Sequence, residues 1–203
     1  MTTLRAQESE TRSVIQSALG LVADLPSLSH APRTYVAEMI VVRVFALFEA
    51  VVEDVACRLV CGAPYSDGSM PTLNRTRPTS GLERARQAMR TFGRADPHNK
   101  LRWNKASEIR RNLEHLFPSN EHFVLSLTGH GQFISDLRKV RNHIAHNNAG
   151  TRKRFHEVVR NEYGASINGM TPGRMLLSSR FTPSIVERYC RQTRIILLDA
   201  MKA

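Results

Sequence analysis

The run Arg141-Asn142-His143-Ile144-Ala145-His146 gathers a guanidinium, a carboxamide and two imidazoles into one short stretch. These groups suit cleavage of RNA by its own 2′-hydroxyl. An imidazole exchanges protons near neutral pH, an Arg stabilises charge developing on the phosphoryl group, and an Asn orients either partner. The reaction needs no carboxylate-bound metal, so neither a metal nor another cofactor is expected. Arg141 and His146 are the catalytic candidates and Asn142 is the orienting one. His143 reads first as a packed or dimer-contacting side chain and second as a supporting base.

The run must sit on a helix, because Phe133, Leu137, Val140 and Ile144 form an apolar seam at spacings of three and four. At about 100° per residue, Asn142 and His146 lie about 40° apart, with Lys139 just beyond, all opposite that seam. This cluster is expected to face away from the core. Arg141 lies on a shoulder beside Ile134 and Ala145, about 140° from His146. The two converge on one ligand only if the helix end relaxes or a second chain contributes, and Asn147, Asn148 and Gly150 favour relaxation.

The RNHIAH run resembles the R-x4-H signature of the HEPN superfamily, small α-helical proteins that commonly dimerise, in the form typical of the RiboL-PSP-HEPN type. The resemblance implies a homodimeric, metal-independent ribonuclease. It also implies a toxin or phage-defence effector, with an antitoxin or defence-system protein as a further partner. Carried over, Arg141 and His146 are the catalytic pair and Asn142 is the polar residue after the Arg. The segment Phe45 to Asp54 resembles the long helix preceding the motif in such proteins, which makes Glu49 the acidic supporting residue.

The surrounding charge agrees with an RNA partner. The chain of 203 residues carries a formal charge of +11, and 24 of its 29 basic residues are Arg, the side chain suited to bidentate phosphate contacts. Arg152, Lys153 and Arg154 follow the motif directly, and together with Lys139, Arg75 and Arg77 they are the RNA-binding candidates. The competing reading is a non-catalytic helical module that binds nucleic acid or a protein through the same basic surface. A zinc site formed by Cys57, Cys61, His143 and His146 is a third and weaker reading, since neither pair has the turn-based spacing of structural zinc.

Helical periodicity is nearly continuous and strand alternation nearly absent, which predicts a single all-α domain, a bundle of five to seven helices over residues 1–203. Helices are expected over 3–24, 33–59, from Ser80, 103–116, around the motif, 152–162 and from Thr182. Val14, Ile15 and Val22 should point inward from the first, and Ala85, Met89 and Phe92 from the third. Two segments interrupt the pattern: a long flexible loop at 62–80, and an irregular or hairpin insert at 164–181. No apolar run is long enough to span a membrane. The opening residues MTTLRAQESETR lack the features of a secretory signal, so cytoplasmic localisation is expected. The three cysteines are too few for a disulfide framework.

Overall fold

The computed structural model describes residues 4–74 and 79–203, and among the described residues the regular structure is helical with no strand. Among them nine α-helices run in the order α1 (Leu4–Asp24), α2 (His30–Val60), α3 (Leu82–Thr91), α4 (Ala106–Leu113), α5 (His122–Gly129), α6 (Gly131–His146), α7 (Ala149–Tyr163), α8 (Pro172–Leu176) and α9 (Ile185–Ala200). The fold is the expected all-α bundle, with more and shorter helices than periodicity alone suggests. Among the described residues no helix is long and apolar enough to cross a membrane.

The described residues form two compact units. The first takes the chain up to Arg12, Phe48–Ile134 and Ile195–Ala203. Its core holds Phe48, Val52, Val55 and Leu59 of α2, with Ile109, Leu113, Phe117 and Phe123. The loop after α2 is tied down in its described first half. Tyr65 is buried and donates its hydroxyl to Glu121 at 2.5 Å, and the other Glu121 oxygen accepts Thr72 N–H at 3.0 Å. Arg75 and Arg77, expected to reach phosphate, lie outside the described residues. Cys57 and Cys61 are buried free thiols, and burial pushes the Cys57 thiol up to about 12.

The second unit, Ser13–Leu47 with Ser135–Arg194, carries the motif. Ile40, Val41, Val44 and Phe45 line the inner face of α2, at spacings that follow the turn of the helix. Leu137 and Val140 of α6, Phe155, Val158 and Val159 of α7, and Ile185, Val186 and Tyr189 of α9 are buried in the same unit. Val14, expected inward, is 44% exposed, while its neighbour Ile15 is fully buried. Adjacent residues on a helix differ by about 100°, so only one of the two can face the core. In the first unit, Phe92 likewise lies at the end of α3, where it is exposed rather than inward.

The 164–181 insert contains α8 in place of a hairpin. Thr171 caps this helix by accepting Arg174 N–H at 3.4 Å, and Pro172 occupies its first turn. The Thr-Pro-Gly sequence that signals a tight turn therefore starts a helix. Gly173 lets α8 approach α2: its N–H donates to Glu38 at 2.9 Å, and a Cβ built on it would collide with the Thr34 side chain. At the next junction Ser184, not Thr182, receives the N–H of Glu187 at the start of α9.

Gly173→Ala should therefore overpack the α2–α8 approach and cost about 1–3 kcal/mol, read as a lowered urea midpoint. An unchanged midpoint would mean that α8 moves away from α2 at no cost.

Candidate functional site

The end of α6 and the start of α7 are joined through two residues, and their geometry builds the site. Asn147 has φ +37°, the left-handed conformation that Asn tolerates better than most side chains, and its N–H still reaches His143 O at 3.0 Å. Asn148 then caps α7. Its carboxamide oxygen accepts Thr151 N–H at 2.9 Å, and the Thr151 hydroxyl accepts Asn148 N–H at 3.1 Å. This reciprocal capping box is worth about 1 kcal/mol in typical helices.

The same hydroxyl lies 3.2 Å from His143 Nδ1 and donates its proton to Asn148 O at 3.0 Å. The hydroxyl therefore bridges the cap of α7 and the His143 ring, which it meets at Nδ1. The ring is only 7% exposed and stacks on Phe155, with centroids 5.0 Å apart. Burial, followed by the nearby Arg152 and His156, pushes the His143 pKa below its ordinary 6.5.

A cleft of about 580 Å³ opens beside this junction. Glu38, His143, Asn147, Arg152 and His156 supply its polar lining, and Met170 and Pro172 are among its less polar walls. Glu38 is partly buried, and desolvation raises its carboxyl pKa while the Gly173 N–H pulls it down. Arg152 makes no ion pair among the described residues. Arg152 came from the basic run after the motif. His156, four residues further along α7, carried the spacing signal but was passed over, and Glu38 is distant in sequence and carried no local signal.

The proposed catalytic residues occupy other faces of α6. Arg141 is partly buried, donates to Asn142 Oδ1 at 3.1 Å, and stands over the Phe45 ring at 5.7 Å. Its Nε is buried without a hydrogen-bond partner. His146 is exposed at the last residue of the helix. The expected outward cluster is only partly outward, because Asn142 and Lys139 are half-buried. Lys139 is occupied by Asp136 and Glu157, each at 3.3 Å, which removes most of its appeal as a phosphate contact. Lys153 and Arg154 are exposed on α7. Ile134 of the expected dimer shoulder is buried, leaving Ala145 as its exposed member. Glu49 is partly buried in the first unit and is not among the residues gathered here. Among the described residues no three or more His, Cys, Asp or Glu side chains cluster in a way that could hold a metal.

The His143 environment sets a pH dependence. Folding disfavours its protonated form, so below the ordinary value of 6.5 the unfolded chain binds more protons than the folded one. The stability this ring contributes is present above that value and is lost as pH falls through it. The urea midpoint should drop between about pH 7.5 and about pH 5.5, and His143→Gln should flatten the drop. His98, also held below its ordinary value by burial, leaves a residual slope. A slope unaltered by His143→Gln would remove this residue from the account.

No family model, characterised protein or solved structure matches the chain, so the chemistry of the site is read from its own residues and geometry.

Proposed function

We propose that the protein is a metal-independent endoribonuclease. The observation that carries this reading is Arg141, a partly buried guanidinium whose Nε–H has no partner and which meets no carboxylate among the described residues. Arg188 Nε is buried in the same way, but that guanidinium is matched by Glu162, whereas Arg141 has no anion beside it among the described residues and a bound one would supply the charge. Phe45 beneath it and Asn142 beside it fix the group in place, and a phosphodiester would supply both the missing acceptors and the missing negative charge.

In this reading the 2′-oxygen attacks phosphorus and loses its proton, and the bond to the 5′-oxygen breaks as that oxygen gains one. His146 exchanges protons with one of these oxygens, Arg141 stabilises the phosphoryl oxygens and Asn142 orients the guanidinium. DNA lacks the attacking hydroxyl and is not a substrate. The resemblance of RNHIAH to HEPN ribonucleases supports the same assignment. It extends the proposal to a homodimer and to a toxin or defence role restrained by a partner protein. With Arg141 and His146 about 140° apart on α6, a second chain's helix end completes the constellation.

One observation favours a second reading. His146 is exposed at a helix end, and no side chain orients it among the residues described. A module that binds RNA through Arg141 and the α7 cations without cutting it needs no oriented imidazole.

Incubation of the purified chain with mixed RNA in excess chelator separates the two. The nuclease reading expects cleavage of RNA but not DNA, with Arg141→Ala and His146→Ala each lowering the rate about 100-fold or more. Cleavage that survives both substitutions, or that chelator abolishes, overturns it. RNA retained on a filter without cleavage selects the binding module. Light scattering that finds only monomers during turnover rules out the two-chain site.

A further inference from the structure

The cleft of about 580 Å³ beside the α6–α7 junction is not part of the catalytic set, yet its size falls within the range of about 300–1,000 Å³ usual for small-ligand sites. Its lining divides by hydrogen-bonding character. Arg152 and His156 stand four residues apart on α7, one turn of the same helix face, and offer N–H groups, with the positive charge of the guanidinium on Arg152. Glu38 on α2 offers an acceptor, and His143 offers a ring nitrogen other than the one that meets Thr151.

Opposite charges that line one cleft would be expected to pair, but Arg152 and Glu38 do not. Arg152 has no carboxylate partner among the described residues, and Arg152 is not among the groups that shift Glu38. Glu38 is held instead by Gly173 N–H on Oε1, which fixes the carboxylate while Oε2 keeps its lone pairs. A cleft with a free cation at one place and an anchored, partly desolvated carboxylate at another fits a ligand carrying an anionic group and a donor edge.

We infer that this cleft is a nucleotide subsite selective for guanine, with the phosphate on Arg152 and His156 and the paired N–H donors of the base on the Glu38 carboxylate. The choice of a nucleotide over other anionic ligands rests on the ribonuclease reading. Guanine presents an N1–H and an exocyclic NH₂ side by side, which a carboxylate accepts in parallel. Adenine offers an acceptor at the corresponding ring position and leaves the carboxylate facing a lone pair. Sites built on such hydrogen bonds reject the analogue that cannot make them. The His143 ring nitrogen that Thr151 does not meet adds a place for a ribose hydroxyl, which can donate or accept.

The test is calorimetric titration of the full chain with 5′-GMP, 5′-AMP and inorganic phosphate, together with the His143 and His156 ring signals by NMR. GMP should bind roughly tenfold more tightly than AMP and displace phosphate, with both ring signals shifting. Glu38→Gln should weaken GMP and remove the preference while leaving the far-UV circular dichroism unchanged, and Arg152→Ala should weaken both nucleotides. Equal affinities in the unaltered chain, a preference that survives Glu38→Gln, ring signals that do not move or no nucleotide binding would overturn the subsite. Mononucleotides contain no internucleotide phosphodiester, so the result is independent of cleavage. GMP binding without RNA cleavage overturns the nuclease reading alone, and RNA cleavage without a GMP preference overturns the subsite alone.

Discussion

The hydroxyl of Thr151 holds the second unit's functional corner together. It closes the capping box with Asn148 and pairs with Nδ1 of His143, so one small group fixes both the start of α7 and a side chain of α6. The left-handed Asn147 between them is what allows two helices to meet across so short a connection. Apart from Glu38 on α2, the side chains named as the cleft's polar lining depend on this joint. His143 and Asn147 lie before it, Arg152 and His156 lie after it, and an altered crossing of α6 and α7 would move the two pairs apart. Phe155, stacked on the His143 ring, supports the joint from the apolar side.

Positive charge is abundant in this chain, but its availability is uneven. Lys139 is matched by two carboxylates within the unit, and Arg188 is matched by Glu162 at 2.6 Å. Such half-exposed pairs contribute at most about 1 kcal/mol to stability, but they withdraw the cation from other partners. Arg141 and Arg152 are not neutralised in this way. Arg141 is held by an aromatic face and a neutral carboxamide, which position a guanidinium while preserving its charge. A count of basic residues cannot separate these two classes, because the difference lies in which side chains fold next to them.

The legible parts of the fold were those set by local periodicity. On the α2 stripe predicted at three-and-four spacing, Ile40, Val44, Val51, Val55 and Leu59 are buried while Val36 and Leu47 are only partly so; the inward residues of α9 are buried as their spacing requires, and the motif helix ends where Asn147 and Asn148 permit. Less legible were features that depend on distant partners. Val14 and Ile15 are equally apolar, and only the packed neighbours decide which is inside. Thr171-Pro172-Gly173 satisfies the requirements of a turn and of a helix start alike. What favours the helix is the close seat of Gly173 against Thr34 and Glu38 on α2, far away in sequence. Glu38 was invisible as a site residue for the same reason, whereas His156 was within reach of the helical spacing from Arg152. In the run from Arg141 to His146 the residue types were legible, and their distribution over separate faces followed from the helix itself.

That distribution bears on how one helix end could serve a nucleic acid. Taking His143 as the marker of the cleft face, His146 lies about 60° away around α6, while Arg141 lies about 160° away, close to the opposite side. Within one chain, then, the exposed imidazole is nearer to whatever occupies the cleft than to the guanidinium over Phe45. Under the nuclease reading, the scissile phosphate is a different group from the phosphate on Arg152 and must meet both His146 and Arg141. That reading therefore carries a need for a relaxed helix end or a second chain's α6 end. It arises because a five-residue spacing on a regular helix separates the two groups by more than a third of a turn.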